Sequence, residues 1–152
     1  MKKLYVVGNK VSKSLSPTIF NYWFKKYNIK ASYGYLELTE KNFHRKIKEV
    51  LEKKDTLGLN VTIPFKNKII KHLGKIDAHA KKIGAVNCVT NKKTINGTNT
   101  DWTGYYKTLP NIKKTKNRKV IILGYGGASH AIHYVLKKRG FKDILIFNRS
   151  KK

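Results

Sequence analysis

The alternation of short apolar runs with helix-periodic segments in the first sixty residues constrains the fold most strongly. Three runs, at 3–8, 31–38 and 56–61, have the length and the β-branched or aromatic content of strands. Between them lie two segments whose apolar residues fall at helical spacing: Ile19, Phe20, Trp23, Phe24 and Tyr27, then Phe43, Ile47, Val50 and Leu51. This order predicts an α/β layer with parallel strands.

The rest of the first unit is more irregular. Two short helices are predicted over 66–73 and 77–84, followed by two strands around the turn at 91–93 and a helix that starts at 102 and ends before Pro110. Residues 111–119 have almost no apolar content and are predicted to be a basic linker. We therefore divide the chain into a first unit at 1–102, a linker at 103–117 and a second unit at 118–152.

The second unit begins with a glycine-rich turn between a strand and a helix. The strand at 120–123 runs into Gly124, Tyr125, Gly126, Gly127, Ala128 and Ser129, and the helix that follows is predicted to end at Gly140. Such glycines let a backbone approach the pyrophosphate of a dinucleotide at a helix N-terminus. A tight turn without a ligand is the alternative.

The end of the next strand bears on which dinucleotide is bound. NAD sites usually carry Asp or Glu there, whereas this chain has Asn148, Arg149, Ser150 and Lys151. Cationic and hydroxyl donors suit a 2′-phosphate, which predicts NADP. The alternative is that Arg149 and Lys151 belong to a general excess of basic residues.

That excess is large, with 34 Lys and Arg against 8 Asp and Glu and a formal net charge of +26. An excess of this size is typical of proteins that bind polyanions such as nucleic acids. The basic residues are spread over predicted helices, turns and linkers without one dense tail, which favours a lysine-biased solvated surface and no specific nucleic-acid partner.

Other classes of site and location are disfavoured. The sequence contains no apolar run near the roughly 20 residues of a membrane span, and its N-terminus lacks the pattern of a signal peptide. The single Cys88 fits a reducing compartment, so a cytoplasmic location is predicted. The histidines, at positions 44, 72, 79, 130 and 133, show no ligand-pair spacing, so no metal site is predicted.

Six motifs together resemble one family. SLSP (14–17), NVTIPFK (60–66), GAVN (84–87), NGTNTD (96–101), GYGGAS (124–129) and NRS (148–150) occur in the order and approximate spacing found in shikimate dehydrogenases. The resemblance runs through the whole chain. It implies an N-terminal α/β substrate-binding domain, followed by the beginning of a Rossmann-type dinucleotide-binding domain.

The resemblance also implies roles for individual residues. The family's catalytic pair falls on Lys66 and Asp101. Its carboxylate-binding hydroxyls fall on Ser14 and Ser16, although Ser16 could instead only cap the following helix. The threonine of NVTIP and the asparagines of GAVN and NTD line the ring-hydroxyl pocket in the family, which points to the substrate ligands Thr62, Asn87 and Asn60. The cofactor would contact Gly124, Gly126, Gly127, Ala128, Ser129, Asn148, Arg149 and Ser150.

The implied reaction is the reduction of 3-dehydroshikimate to shikimate by NADPH, in which a lysine ammonium stabilises and protonates the nascent alkoxide. Two departures from the family pattern are Lys13, where many relatives have His, and Tyr125, where Ala is commoner.

Because relatives continue well past residue 152, we expect an N-terminal portion of a longer chain that binds substrate but reduces it poorly or not at all. The alternatives are a quinate/shikimate dehydrogenase using NAD or NADP, and a noncatalytic truncated binding protein with affinity for polyanions.

Overall fold

The computed structural model describes residues 1–110 and 118–149. The helices are α1 (Ser16–Lys26), α2 (Phe43–Leu51), α3 (Ala78–Ile83), α4 (Asp101–Thr108) and α5 (Gly127–Lys138), with a short 3₁₀ helix over Lys68–His72. The strands are β1 (Lys2–Gly8), β2 (Ala31–Glu37), β3 (Thr56–Val61), β4 (Lys75–Ile76), β5 (Cys88–Asn91), β6 (Ile95–Thr98), β7 (Lys119–Leu123) and β8 (Asp143–Phe147). Within these described ranges, no helix combines the length and apolarity needed to cross a membrane.

Six strands form one sheet in the order β2-β1-β3-β5-β6-β4. β1 pairs in parallel with both β2 and β3, which confirms the α/β layer predicted from the alternating pattern. β5 and β6 are the predicted hairpin, and β5 joins the sheet by antiparallel pairing with β3. The two-residue edge strand β4 was not predicted, because two residues are too few to show a periodicity.

The larger core lies on one face of this sheet, under α2. Phe43 and Ile47 of α2 are fully buried there, as the helical spacing predicted, and pack with Val7, Leu59 and other strand residues. The ring of Phe65, which follows β3, stacks on the ring of Phe43 with centroids 4.2 Å apart. This core therefore fixes the chain on both sides of the carboxyl end of β3.

The opposite face is covered by α1 and is less completely buried. Phe20 and Phe24 of α1 pack against Val6, Val11 and Tyr33. The other apolar positions of the helix remain largely exposed: Ile19, Trp23 and Tyr27. The apolar stripe predicted from the sequence is thus wider than the face that the sheet covers.

The second unit contains β7 and β8, paired in parallel, with α5 packed on them. Ile122, Leu136 and Phe141 form its small core. Ala131 of α5 is buried against Ile83 and Ala85 of the first unit. The two units therefore contact each other through α5, close to the turn that follows α3.

Candidate active site

A cavity of about 600 Å³ opens at the carboxyl ends of β1 and β3. Ligands of open α/β sheets bind at this edge. Of the residues singled out from the sequence, six line the cavity: Ser14, Ser16, Asn60, Thr62, Lys66 and Asn87. Lys10 and Lys13 also line it and add positive charge that the sequence reasoning had not assigned to a role.

Lys66 is the cationic centre of the cavity. Its Nζ lies 2.6 Å from Asp101 Oδ2, and the lysine side chain is only 12% exposed. The turn from β3 to Lys66 is held by the bond from Thr62 N–H to Val7 C=O and by the burial of Phe65. Two residues that are 35 positions apart in the sequence, predicted to be a catalytic pair, are thus in direct contact.

Asp101 is oriented from two directions. It is the first residue of α4, where the positive end of the helix dipole favours a carboxylate. Its Oδ1 accepts a hydrogen bond from Asn87 Nδ2 at 2.8 Å. Asn87 Nδ2 also donates to Thr100 Oγ1, and its Oδ1 accepts from Thr100 N–H. Both N–H donors of the Asn87 amide therefore have acceptors within the protein, and this residue holds Asp101 in addition to lining the cavity.

Asn99, the asparagine of the NTD motif, supports the site from beneath and does not line the cavity. It is buried, its Oδ1 accepts from the N–H groups of Asp101 and Trp102, and its Nδ2 donates to the carbonyl of Ala85. This geometry differs from the pocket role that the resemblance implies for an asparagine at this point. The amide joins the start of α4 to the GAVN loop, a role that spacing alone does not reveal.

Ser14 and Ser16 lie together in the lining of the cavity, with their Oγ atoms 3.1 Å apart. The N-cap position of α1 is Leu15, which makes no side-chain capping bond, and Ser14 Oγ accepts a hydrogen bond from the N–H of Ser16. Ser16 is therefore not the N-cap residue, and the alternative in which it only caps this helix is wrong. Ser14 Oγ donates to Ser16 Oγ, and rotation of the Ser14 hydroxyl would let both hydroxyls donate to one anion.

The loop that carries these serines is held by Glu37 at the end of β2. The Glu37 carboxylate accepts hydrogen bonds from Val11 N–H at 2.7 Å and Ser12 N–H at 2.9 Å. These hydrogen bonds keep the pKa of Glu37 below its usual range, and the bond from Ser12 has the largest effect. The sequence reasoning missed Glu37, although it is one of only 8 acidic residues and stands at a strand end.

The glycine turn leaves room for a ligand at two of its positions. A Cβ added at Gly124, with φ of +88°, or at Gly126 would meet no atom within 4 Å, so the backbone at both positions is open to close approach. Asn148 Oδ1 accepts from Tyr125 N–H, and Arg149 is exposed beyond β8. Together with the N-terminus of α5, where Ala128 and Ser129 lie, these groups fit the pyrophosphate and ribose of a dinucleotide.

Gly127 differs from its neighbours. A Cβ at this position would lie 2.9 Å from Cβ of Lys66, so the absence of a side chain lets α5 pack on the stem of the catalytic-pair lysine. Ser150, the last residue of the predicted cofactor set, lies outside the described residues.

The histidines include one pair that sequence spacing did not indicate. His44 Nδ1 lies 2.9 Å from His72 Nε2, although the residues are 28 positions apart. Burial, and then the neighbouring His44, lower the pKa of His72. His130 Nδ1 contacts the carbonyl of Ile83 at 3.2 Å, which directs this ring toward the first unit. In the described part of the chain, no group of three or more His, Cys, Asp or Glu residues could hold a metal ion.

Comparison with known proteins agrees with this geometry. Residues 6–89 match the family of the shikimate dehydrogenase substrate binding domain. Shikimate dehydrogenase (NADP(+)) of Thermotoga maritima is 36% identical over 148 residues, which are 97% of this chain and 55% of that protein. The chain thus spans about half the length of the curated relatives it matches.

Solved structures give the same result. The crystal structure of shikimate dehydrogenase from Aquifex aeolicus has a TM-score of 0.86 and 36% identity, and the match covers 100% of this chain and 57% of that one. Shikimate 5-dehydrogenase of Thermus thermophilus, in complex with NADP(H) and shikimate, has a TM-score of 0.80 and 28% identity, with 99% and 57% covered. The residues that match the family run from β1 into β5 and include the motifs that contain Ser14, Asn60 and Lys66. On this evidence the chain belongs to the shikimate dehydrogenase family.

Proposed function

We propose that the cavity binds shikimate and 3-dehydroshikimate, and that the protein takes part in the NADPH-dependent reduction of 3-dehydroshikimate in aromatic amino acid biosynthesis. The observation that carries this proposal is the Lys66–Asp101 pair, with Nζ and Oδ2 2.6 Å apart, because its lysine lines the same cavity as the two serines. A lysine with a carboxylate partner and a pair of hydroxyls in one cavity match a carboxylate substrate with a reducible carbonyl.

The substrate carboxylate is assigned to Ser14 and Ser16. Two hydroxyl donors 3.1 Å apart can each bond one carboxylate oxygen. Lys10 and Lys13 line the same cavity, and their charges raise the local positive potential for an anion. The ring hydroxyls are assigned to Asn60 and Thr62, with Asn87 beside them.

The reducible carbonyl is assigned to Lys66. When bound, NADPH would supply the hydride, and negative charge would then develop on the carbonyl oxygen. Lys66 has three N–H donors, one of which is directed at Asp101, so the others are available to bond that oxygen and deliver its proton. Asp101 fixes the direction of the ammonium and compensates its charge once the site excludes water.

The cofactor is assigned to the glycine turn of the second unit. Gly124 and Gly126 would admit the pyrophosphate, and the exposed Asn148 and Arg149 after β8 would contact the ribose and its 2′-phosphate. The Thermotoga maritima relative is named for NADP(+), which supports the same choice here. In this assignment residues 1–102 bind the substrate and residues 118–152 begin the cofactor domain.

The test is direct titration of the chain with shikimate by calorimetry. We expect binding in wild type, and a roughly tenfold or greater loss of affinity in Ser14→Ala and Ser16→Ala, because each removes a hydrogen bond to a charged group worth about 1.5–3 kcal/mol. Thr18→Ala, an exposed hydroxyl two positions further along α1, is the matched control and should bind as wild type does. Equal affinity in all four proteins would overturn the assignment of the carboxylate site.

NADPH oxidation in the presence of 3-dehydroshikimate is measured on the same samples. We expect the chain to bind shikimate with little or no turnover. Turnover with 3-dehydroquinate in place of 3-dehydroshikimate, or with NADH in place of NADPH, would instead favour the broader quinate/shikimate dehydrogenase activity.

A further inference from the structure

Tyr33 makes a buried contact with a residue of the cavity from two strands away. It belongs to β2, Asn60 belongs to β3, and β1 lies between them in the sheet. The Tyr33 hydroxyl nevertheless lies 2.6 Å from Asn60 Oδ1, because the ring crosses the face of β1. Tyr33 is only 4% exposed. The Tyr33 hydroxyl therefore lies beneath α1, beside a residue that lines the cavity.

This ring is fixed by its surroundings. It stacks on Phe20, which also lines the cavity, with centroids 4.6 Å apart and an interplanar angle of 8°. The backbone of Tyr33 exchanges two hydrogen bonds with the amide of Asn21 in α1, at 2.8 and 2.9 Å. α1 is the helix that begins at Ser16. The hydroxyl of Tyr33 therefore has one position relative to the cavity.

The contact determines which end of the Asn60 amide faces the protein. The Tyr33 hydroxyl has no other hydrogen-bond acceptor in the described ranges, so its O–H is satisfied only if Asn60 Oδ1 accepts it. In the flipped amide, Nδ2 would face the hydroxyl, and a buried O–H would lose its acceptor, which is unfavourable. Burial raises the pKa of Tyr33 well above its usual range, so the hydroxyl stays a donor throughout the neutral range.

We propose that Tyr33 is a positioning residue that holds the Asn60 amide with Nδ2 toward the cavity, so that the site offers an N–H donor there. The ligand group at this point must then act as an acceptor, as a hydroxyl or carboxylate oxygen does. This inference rests on the proposed function, because it takes shikimate as the ligand of the cavity. It adds a residue outside the cavity lining to those that set which ligand groups are accepted.

A double-mutant cycle on shikimate affinity tests this role. Tyr33→Phe keeps the stacked ring and removes the hydroxyl, and we expect affinity to fall about threefold to tenfold as the amide is freed to flip. In an Asn60→Ala background the same change should alter affinity less than twofold, because Tyr33 acts through the amide. Tyr22→Phe, on the exposed side of α1, is the matched control and should have no effect. An equal loss in both backgrounds, or no loss in either, would overturn the proposal.

A second measurement is independent of shikimate. The side-chain NH₂ resonances of Asn60 in the ligand-free protein report its amide environment. Tyr33→Phe should shift or broaden them while leaving the amide resonances of the distant Asn91 unchanged, and an unaltered Asn60 pair would contradict the proposal. If wild type fails to bind shikimate, the proposed function is wrong, and the Asn60 resonances alone then decide whether Tyr33 orients this amide.

Discussion

The two units of the molecule differ in how completely their strands are buried. In β3 of the first unit, four of six residues are buried and none is exposed. In β8 of the second unit four of five residues are exposed, and Leu123 at the end of β7 is 81% exposed. The residues proposed to hold substrate are therefore supported by a packed core, whereas those proposed to hold cofactor lie on a thinly packed unit.

The units meet beside the proposed catalytic lysine. Gly127 of α5 packs on the stem of Lys66, and His79 Nδ1 lies 2.7 Å from the hydroxyl of Tyr134 in α5. The ring of Trp102, next to Asp101 in sequence, stacks on His79 with centroids 4.2 Å apart. We therefore expect a change in the second unit to affect the proposed catalytic pair through this contact, even though the two cores are separate.

The largest expected effect comes from comparing a buried position of the first unit with an exposed position of the second unit. Phe65→Ala removes a fully buried ring from the main core and should lower the free energy of unfolding by about 3–5 kcal/mol. Leu123→Ala, at an exposed position, should change it by no more than about 0.5 kcal/mol. Urea unfolding followed by circular dichroism measures both. Similar losses in the two variants would show that the burial difference between the units does not determine stability.

The contact between the units is tested by two adjacent glycines. Gly127→Ala places a Cβ 2.9 Å from Cβ of Lys66, an atom too near the backbone to move freely, and should cost about 1–2 kcal/mol. Because the lysine stem must shift, shikimate affinity should fall as well. Gly126→Ala meets no atom within 4 Å and is the matched control.

Calorimetry with shikimate and urea unfolding are measured on both glycine variants. We expect Gly126→Ala to match wild type in both. If Gly127→Ala also binds shikimate as wild type does, the second unit does not influence Lys66 through this contact.

Much of the fold was predictable because its signals are local. The parallel strands β1 to β3 follow from alternating segments, and the buried positions of α2 follow from the spacing of Phe43 and Ile47. The width of the buried face of α1 was not predictable. Exposure of Trp23 and Tyr27 depends on what the sheet can cover, and a helical period does not contain that information.

The residues of the candidate site also divide into those that the sequence predicts and those that it does not. Residues inside recognisable motifs, such as Lys66 and Asn87, were singled out from the sequence, and the fold brings them to one cavity. Tyr33 and Glu37 were missed because their partners, Asn60 and the 11–12 backbone, are more than twenty residues away in the sequence. The His44–His72 contact was missed for the same reason. Such pairings arise from strand order and helix packing, which no short motif encodes.

A smaller effect is expected in α4, the helix that begins with Asp101 and packs against α5. Gly104 is exposed in this helix, and a Cβ there meets nothing within 4 Å. Gly104→Ala should raise the free energy of unfolding by about 0.5–1 kcal/mol, because alanine loses less backbone freedom on folding. Thermal unfolding measures the gain, and unchanged shikimate affinity is the control. A loss of stability would indicate that α4 is strained when its backbone is restricted.

The smallest expected effect concerns the loop that carries Ser14 and Ser16. The pKa of Glu37 is lower in the folded protein than in the unfolded chain, so its stabilising contribution is present above the unfolded pKa and disappears as pH falls through the folded pKa. Glu37→Ala should therefore melt below wild type at neutral pH, and the difference should shrink below about pH 4. Glu37→Gln, which retains an acceptor oxygen, should lie between them. A melting difference that stays constant from pH 7 to the acid limb would mean that the Glu37 side chain acts there through packing and not through its charge.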